Sequence, residues 1–402
     1  MPKRTLGLLL SHLSLFSLLT LLPAAAHGQS LDLGIANTGL SIGNSPRWTG
    51  LRINWADRDV ERVNGVNLTL WKPPAVRDDQ GNSSSANPDF TMNGIALGLV
   101  APVPARFNGV AAGLGGVIAH EAVNGIALGG IGVVSEGTLN GIVIGGLGVV
   151  AERGMNGIHL GGLGLVSEGR MRGINLAGLG TVSDGAMIGI NAAGLGLVSE
   201  GDMSGVNLGG LGVVADGDLT GLNAAGLGTV SQGRVVGINL GGLGVIADGD
   251  LIGVTIAGLG AVSQGGMRGI NVGGLALVAE GPVEWVNIGG LAVVSSGGVR
   301  GITSALGTVV SDTSITGLSS ALYRIQAPEV RGIAVALAHL RADRFTGVGT
   351  GAYTRIGGVQ RGLTIAIYNH ANELHGMQIG LLNRADNNSG IARILPLLNF
   401  HR

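Results

Sequence analysis

The chain of 402 residues contains no cysteine. That single absence excludes disulfide staples, thiolate metal sites, a cysteine nucleophile and a lipid-modified bacterial N-terminus. Aromatic residues make up only 3 % of the chain, poor material for the interfacial girdles of an outer-membrane barrel. Charge is sparse as well. Asp, Glu, Lys and Arg total 12 % and the formal net charge is −1, so no electrostatic case exists for nucleic acid. Lysine occurs only at Lys3 and Lys72.

Glycine is abundant instead, at 77 residues, and alternates with Ile, Val and Leu in fixed places. Disordered low complexity lacks that apolar complement, and collagen would need glycine at every third residue. From Asn124 to Ile315 the chain repeats twelve times at a spacing of sixteen, as in RGINLAGLGTVSDGAM from Arg172 to Met187. A fixed period of this kind predicts a stacked, quasi-one-dimensional architecture. Residues 1–28 carry Lys3 and Arg4, an apolar run from Leu6 to Leu22 and small residues Ala24–Ala26, the pattern of a secretory signal peptide. Interruption by Ser11, His12, Ser14 and Ser17 disfavours a membrane span.

Residues 29–92 hold divergent repeats, with Trp48, Trp55 and Trp71 and a polar, proline-rich stretch at 72–88 that predicts an exposed loop. The regular array of 15–16-residue repeats covers 93–318, and 319–402 repeats at fifteen and then fourteen residues as a C-terminal cap. Terminal repeats of a solenoid are expected to diverge. Charge shifts along the chain, from five Arg against thirteen acids in 109–299 to ten Arg against five acids in 300–402.

Counting each unit from the residue before its leading glycine, positions 3, 8, 11 and 16 are apolar, and 11 is Val in eleven units and Ile246 in the other. These four rows are the expected core. Their spacing of 5, 3, 5 and 3 divides the unit into two halves of eight, which is no helical stripe. Two short strands per unit fit, each followed by a glycine-bearing turn. The expected fold is all-β, a β-solenoid of about twenty coils about 4.8 Å apart and so about 95 Å long. An antiparallel meander or barrel is the alternative.

Position 4 favours the solenoid, because it is Asn in seven of the twelve units: Asn175, Asn191, Asn207, Asn223, Asn239, Asn271 and Asn287. Identical amides form ladders only in register. This row is either a self-satisfying ladder or a flat binding face for a glycan or protein. Position 13 is acidic in nine units, and Glu168, Asp184, Glu200, Asp216 and Asp248 within it are the candidate calcium ligands, with Asp202, Asp218 and Asp250 two residues on. Solubility of an exposed turn explains the acids equally simply. The nonapeptide calcium pattern is absent, and Gln232, Gln264 and Ser296 interrupt the row, so no metal or other cofactor is expected to be required. His370, Glu373 and His375 match no helix-borne ligand motif, and no catalytic triad or paired catalytic carboxylates stand out. Trp285 replaces the position 2 glycine in one unit.

The stretch Gly362 to Phe400, clearest at Gly376-Met377-Gln378-Ile379-Gly380-Leu381-Leu382-Asn383, resembles bacterial secreted surface-repeat proteins built from units of the form G-x-x-[IL]-G-[IL]-[ILV]-N. The central array departs from that form, with LGGLGVVSEG in place of the apolar-Asn ending. The resemblance implies export and placement at the cell surface, and supplies no catalytic residues. The expectation is a non-enzymatic, exported structural or adhesive protein whose partner is a cell-envelope component, a glycan or a protein. Competing expectations are an outer-membrane β-barrel, a calcium-stabilised rod, and an enzyme with its site in 319–402 near Tyr323, Tyr353 and Tyr368.

Overall fold

The computed structural model describes residues 30–73 and 89–402, with the backbone of 76–77 and 83–84 between them. The signal-like segment 1–28 and most of the loop 72–88 lie outside the described residues. The two described pairs within that loop, Val76–Arg77 and Ser83–Ser84, pair antiparallel.

The chain winds as an all-β solenoid of about 18 turns with a spacing of about sixteen residues. Each regular turn contributes a strand of seven or eight residues and one of four, as in Met187–Ala193 and Gly196–Ser199. Both kinds stack parallel in strict register. Met187 pairs with Met203, Ile190 with Val206 and Asn191 with Asn207. That register excludes the antiparallel meander or barrel over the described array. At the two ends the parallel stacking stops against reversed strands. Leu31–Ile35 runs antiparallel to Thr38–Ile42, and Ile394–His401 runs antiparallel to the stretch around Gly376 to Arg384. In the C-terminal coils the turns shorten until strand geometry is continuous over His339–Ala385.

The core corrects the sequence-based expectation. Positions 16, 4, 6, 10 and 12 point inward, and in one unit these are Met187, Asn191, Ala193, Leu197 and Ser199, all buried. Positions 3, 8 and 11, expected inside, face out: Ile190, Leu195 and Val198 are 43 %, 48 % and 42 % exposed. Only position 16 was assigned to the correct side. Strand side chains alternate with a period of two, so shifting the assignment by one residue transfers a whole row from core to solvent. The inward rows hold small residues because opposing chain segments are close. A Cβ on Gly209 at position 6 would lie 2.1 Å from the Gly212 carbonyl oxygen and 3.1 Å from Val213 Cγ2.

Coils approach one another closely at the glycine column of position 2. Gly189, Gly205 and Gly221 have φ of 118°, 108° and 105°, and a Cβ on Gly205 would sit 2.1 Å from the Gly189 oxygen. Glycine meets both the dihedral and the contact without strain. Trp285 interrupts this column at φ 82°, with its ring exposed.

The first coils are plugged by charge rather than by apolar bulk. Arg52 stands in the position 4 column and donates to Asp57 Oδ1 at 2.5 Å and to Asn67 Oδ1 at 2.9 Å, all three side chains being buried. Asn54 and Thr69 donate to the same carboxylate.

Replacing Gly205 by Ala is expected to destabilise the coil by about 2 kcal/mol or more, through the left-handed backbone and the carbonyl contact. Gly212→Ala at position 9, where Ala276 and Ala292 already stand, leaves stability unchanged. Thermal melting of both variants followed by circular dichroism checks the contrast.

Candidate functional site

Each position of the repeat becomes a column along the solenoid, so any site is a column. The Asn column at position 4 forms a hydrogen-bonded ladder. Asn175 Nδ2 donates to Asn191 Oδ1 at 2.8 Å, Asn191 to Asn207 at 2.9 Å, Asn207 to Asn223 at 2.8 Å and Asn223 to Asn239 at 3.0 Å. A second segment joins Asn271 to Asn287 at 2.9 Å. All seven amides are buried. The alternative of a flat face for a glycan or protein therefore fails for Asn175, Asn191, Asn207, Asn223, Asn239, Asn271 and Asn287, because no partner outside the coil can reach them.

The ladder begins at His159, whose Nδ1 lies 2.9 Å from Asn175 Oδ1. Asn175 already donates onward, so its oxygen accepts and Nδ1 of His159 carries the proton. Burial pushes this imidazole below the ordinary histidine range, against the opposing effect of the Asn175 bond. Thr255 and Thr303 break the ladder. Asn239 Nδ2, Thr255 Oγ1, Asn271 Oδ1, Asn287 Nδ2 and Thr303 Oγ1 are buried and have no protein partner.

A second ladder, not anticipated from the sequence, runs along position 1 in the N-terminal coils. Asn93 donates to Asn64, Asn108 to Asn93, Asn124 to Asn108 and Asn140 to Asn124, at 2.8 to 2.9 Å. The recurring Asn-Gly unit start was its sequence signal. Further along the same row, Glu284 accepts from Arg268 at 3.0 Å and Arg300 at 3.3 Å, beside the strained Trp285. Inward serines at position 12 bind the preceding turn, as where Ser199 Oγ donates to the Gly185 oxygen at 2.9 Å.

The acidic row lies along the turn edge of the coil. Burial, followed by the carboxylates of Glu136 and Glu168, raises Glu152, and burial with Glu168 raises Asp184. The interruptions relieve that repulsion: Gln232 donates to Asp216 at 2.8 Å and Gln264 to Asp248 at 2.9 Å. Asp202, Asp218 and Asp250 turn away from the row to accept the backbone N–H one coil on, from Asp218, Arg234 and Gly266 at 2.7 to 2.8 Å. Those oxygens complete backbone bonding instead of adding to a cation cage. Glu168, Asp184, Glu200, Asp216 and Asp248 occupy successive turns, and among the described residues no three His, Asp or Glu side chains gather as a metal-holding group.

His370, Glu373 and His375 do not converge either. His370 Nε2 is 3.1 Å from Asp386, while His375 pairs with Glu373 at 2.8 Å. Arg384, together with His370 and Arg393, holds the Asp386 carboxyl far below the ordinary carboxylate range. The three tyrosines do assemble into one surface column. Tyr323, His339, Tyr353 and Tyr368 follow one another with ring centroids 5.6, 5.9 and 5.2 Å apart. Since Tyr353 and Tyr368 stack face to face, those facing ring surfaces are used within the column.

The most extensive outward feature is apolar. Positions 3, 5, 8 and 11 present Ile, Leu and Val to the outside along the array, among them Ile238, Leu240, Leu243 and Ile246 in a single coil. Comparison with family models, with curated proteins and with solved structures finds no match.

Thr255→Asn is expected to join the two ladder segments, giving Asn239 Nδ2 an acceptor and Asn271 Oδ1 a donor, and to stabilise the chain by about 1–3 kcal/mol in denaturant unfolding. Asn207→Leu, which strands two buried amides, shifts stability the other way by a similar amount. The lowered pKa of His159 makes the unfolded chain the better proton binder. Its contribution to stability is complete above about pH 6.5 and is lost as pH falls below that value toward the folded pKa. His159→Asn removes that share of the acid sensitivity, measurable as a flatter dependence of melting temperature on pH.

Proposed function

We propose that this chain is an exported, non-enzymatic surface rod that works by presenting long, repetitive faces to a component of the cell envelope. The observation that carries the reading is the outward apolar rows, repeated coil after coil on a closed parallel stack. A monomer surrounded by water rarely keeps contiguous apolar patches beyond about 300–600 Å², and larger ones mark interaction surfaces. Among the described residues, His370, His375 and Glu284 are engaged in ion pairs and the position 4 asparagines in their ladder. The signal-like first 28 residues and the resemblance of Gly362 to Phe400 to bacterial secreted surface-repeat proteins support export.

Expression of the full chain in a Gram-negative host, followed by fractionation and N-terminal sequencing, tests the reading. The expected result is a chain cleaved near His27 to Gln29 and recovered with the envelope or the medium. An uncleaved chain confined to the cytoplasm sinks it.

A further inference from the structure

We infer that the face presented by this rod is a lipid-binding surface, and that the solenoid lies along a zwitterionic bilayer with its position 8 leucine row deepest. The inference rests on the surface-rod reading and names its partner.

The first ground is the segregation of charge around the coil. In none of the twelve units does an Asp, Glu, Lys or Arg occur at any position from 3 to 11. Every such residue of the regular array falls at positions 13, 14, 15 or 1, a single contiguous edge that includes Glu200, Asp202, Asp216 and Asp218. The cross-section is thus amphipathic, in the sense that lets an element lie in a membrane interface rather than span it.

The second ground is shape and area. Twelve coils about 4.8 Å apart and nine residues of arc at about 3.3 Å each outline a strip about 58 Å by 30 Å, on the order of 1,700 Å². A standard protein interface takes about 800 Å² from each partner. The strip is also convex. Positions 4 and 6 of the long strand and 10 and 12 of the short strand bury against the same core, so the outward residues of the two strands point away from each other. The position 8 leucines stand between them at the turn, with Leu195, Leu227 and Leu243 each 48 % exposed. A second copy laid on either flat face would leave the leucine row and the other face in water. Fluid acyl chains cover both faces and the turn together.

Third, the backbone is suited to an apolar medium. Strand N–H and C=O groups pair with the coils before and after, and the turn amides do the same, as from Leu195 to the Leu179 oxygen at 2.7 Å and Leu211 to the Leu195 oxygen at 2.6 Å. Unpaired backbone is what bars most surfaces from hydrocarbon. Within the strip, Leu and Ala alternate at position 5 (Leu176, Ala192, Leu208, Ala224), leaving a shallow, open depression lined by Leu, Ala and Gly. Acyl chains match a surface of that chemistry.

The acidic edge dictates the headgroup. With five Arg against thirteen acids over 109–299, the array is repelled by an anionic surface, so binding is apolar in origin and insensitive to salt.

Flotation of the purified chain with phosphatidylcholine vesicles provides the test. Co-flotation is expected, equal at low and high salt and weaker when phosphatidylserine is added. Leu195→Asp combined with Leu211→Asp and Leu227→Asp is expected to lower the partition at least tenfold, while Ser204→Asp with Thr220→Asp on the polar edge leaves it within twofold. The serine version of the leucine triple, milder toward folding, follows the aspartate triple if circular dichroism shows the latter unfolded. A chain that stays at the bottom of the gradient, one that sediments as a discrete dimer without taking up vesicles, or leucine variants that float like the parent overturn the lipid surface. Recovery with the envelope alongside a failure to float defeats the lipid inference alone, whereas a cytoplasmic chain defeats the surface-rod reading beneath it.

Discussion

The whole structure depends on residue i lying directly beside residue i+16 in the next coil. Backbone pairing along a parallel stack is available to any sequence, but contact at the glycine column is not. There the Cα of one coil faces the carbonyl of the coil before it at a distance that leaves no room for a Cβ. A one-residue slip would bring side chains into that contact and turn the inward rows outward. The sixteen-residue period is therefore enforced by sterics at position 2 and by alternation everywhere else. It relaxes towards both ends, to fifteen between Gly94 and Gly109 and again in 319–402, where the position 4 amides give way to Ala334, Gly349 and Thr364.

The same constraint explains what was legible in the sequence. The period and the two strands per unit followed from where glycine and β-branched residues recur, and the parallel stacking was favoured by the Asn row at position 4. Which rows face inward did not follow. The most apolar rows, 3, 8 and 11, were assigned to the core by the usual rule that apolar residues are buried. That rule presumes an interior with room for them. A coil of sixteen residues has little, and it fills with Ala193, Ser199, a line of asparagines and two larger residues such as Met187 and Leu197. Positions 6 and 12, Gly or Ala and Ser or Ala throughout the twelve units, are inward rows that hydropathy passes over.

Sequence spacing also left the buried ion pair of the first coils unseen. Arg52 and Asp57 are five residues apart in a divergent region, and only the column register shows that Arg52 enters the line that Asn67 continues. An ion pair out of water is costly unless its remaining hydrogen-bonding groups are matched. Asn44, Asn54, Asn67 and Thr69 supply most of that matching. The acidic turn row is handled by opposite means. It stays at the edge, where water screens it, and two glutamines replace carboxylates at the points where they can donate to a neighbouring Asp.

Together these choices invert the usual division of labour between inside and outside. Beside the apolar rows at positions 10 and 16, the interior holds amides, hydroxyls and small residues whose main service is register, since an Asn ladder is satisfied only when each coil lies in line with the next. Backbone pairing, that ladder and the buried apolar rows at positions 10 and 16 supply cohesion, so large apolar side chains on the outside are not needed to hold the coil closed. Their outward placement over twelve units without a single intervening charge then requires a separate cause. Solubility argues against it, because an exposed row of leucines promotes association. Folding does not demand it, because the outward positions could be threonine or lysine without disturbing any inward contact. The proposed association with an apolar partner broad enough to meet both faces and the turn between them would supply that cause.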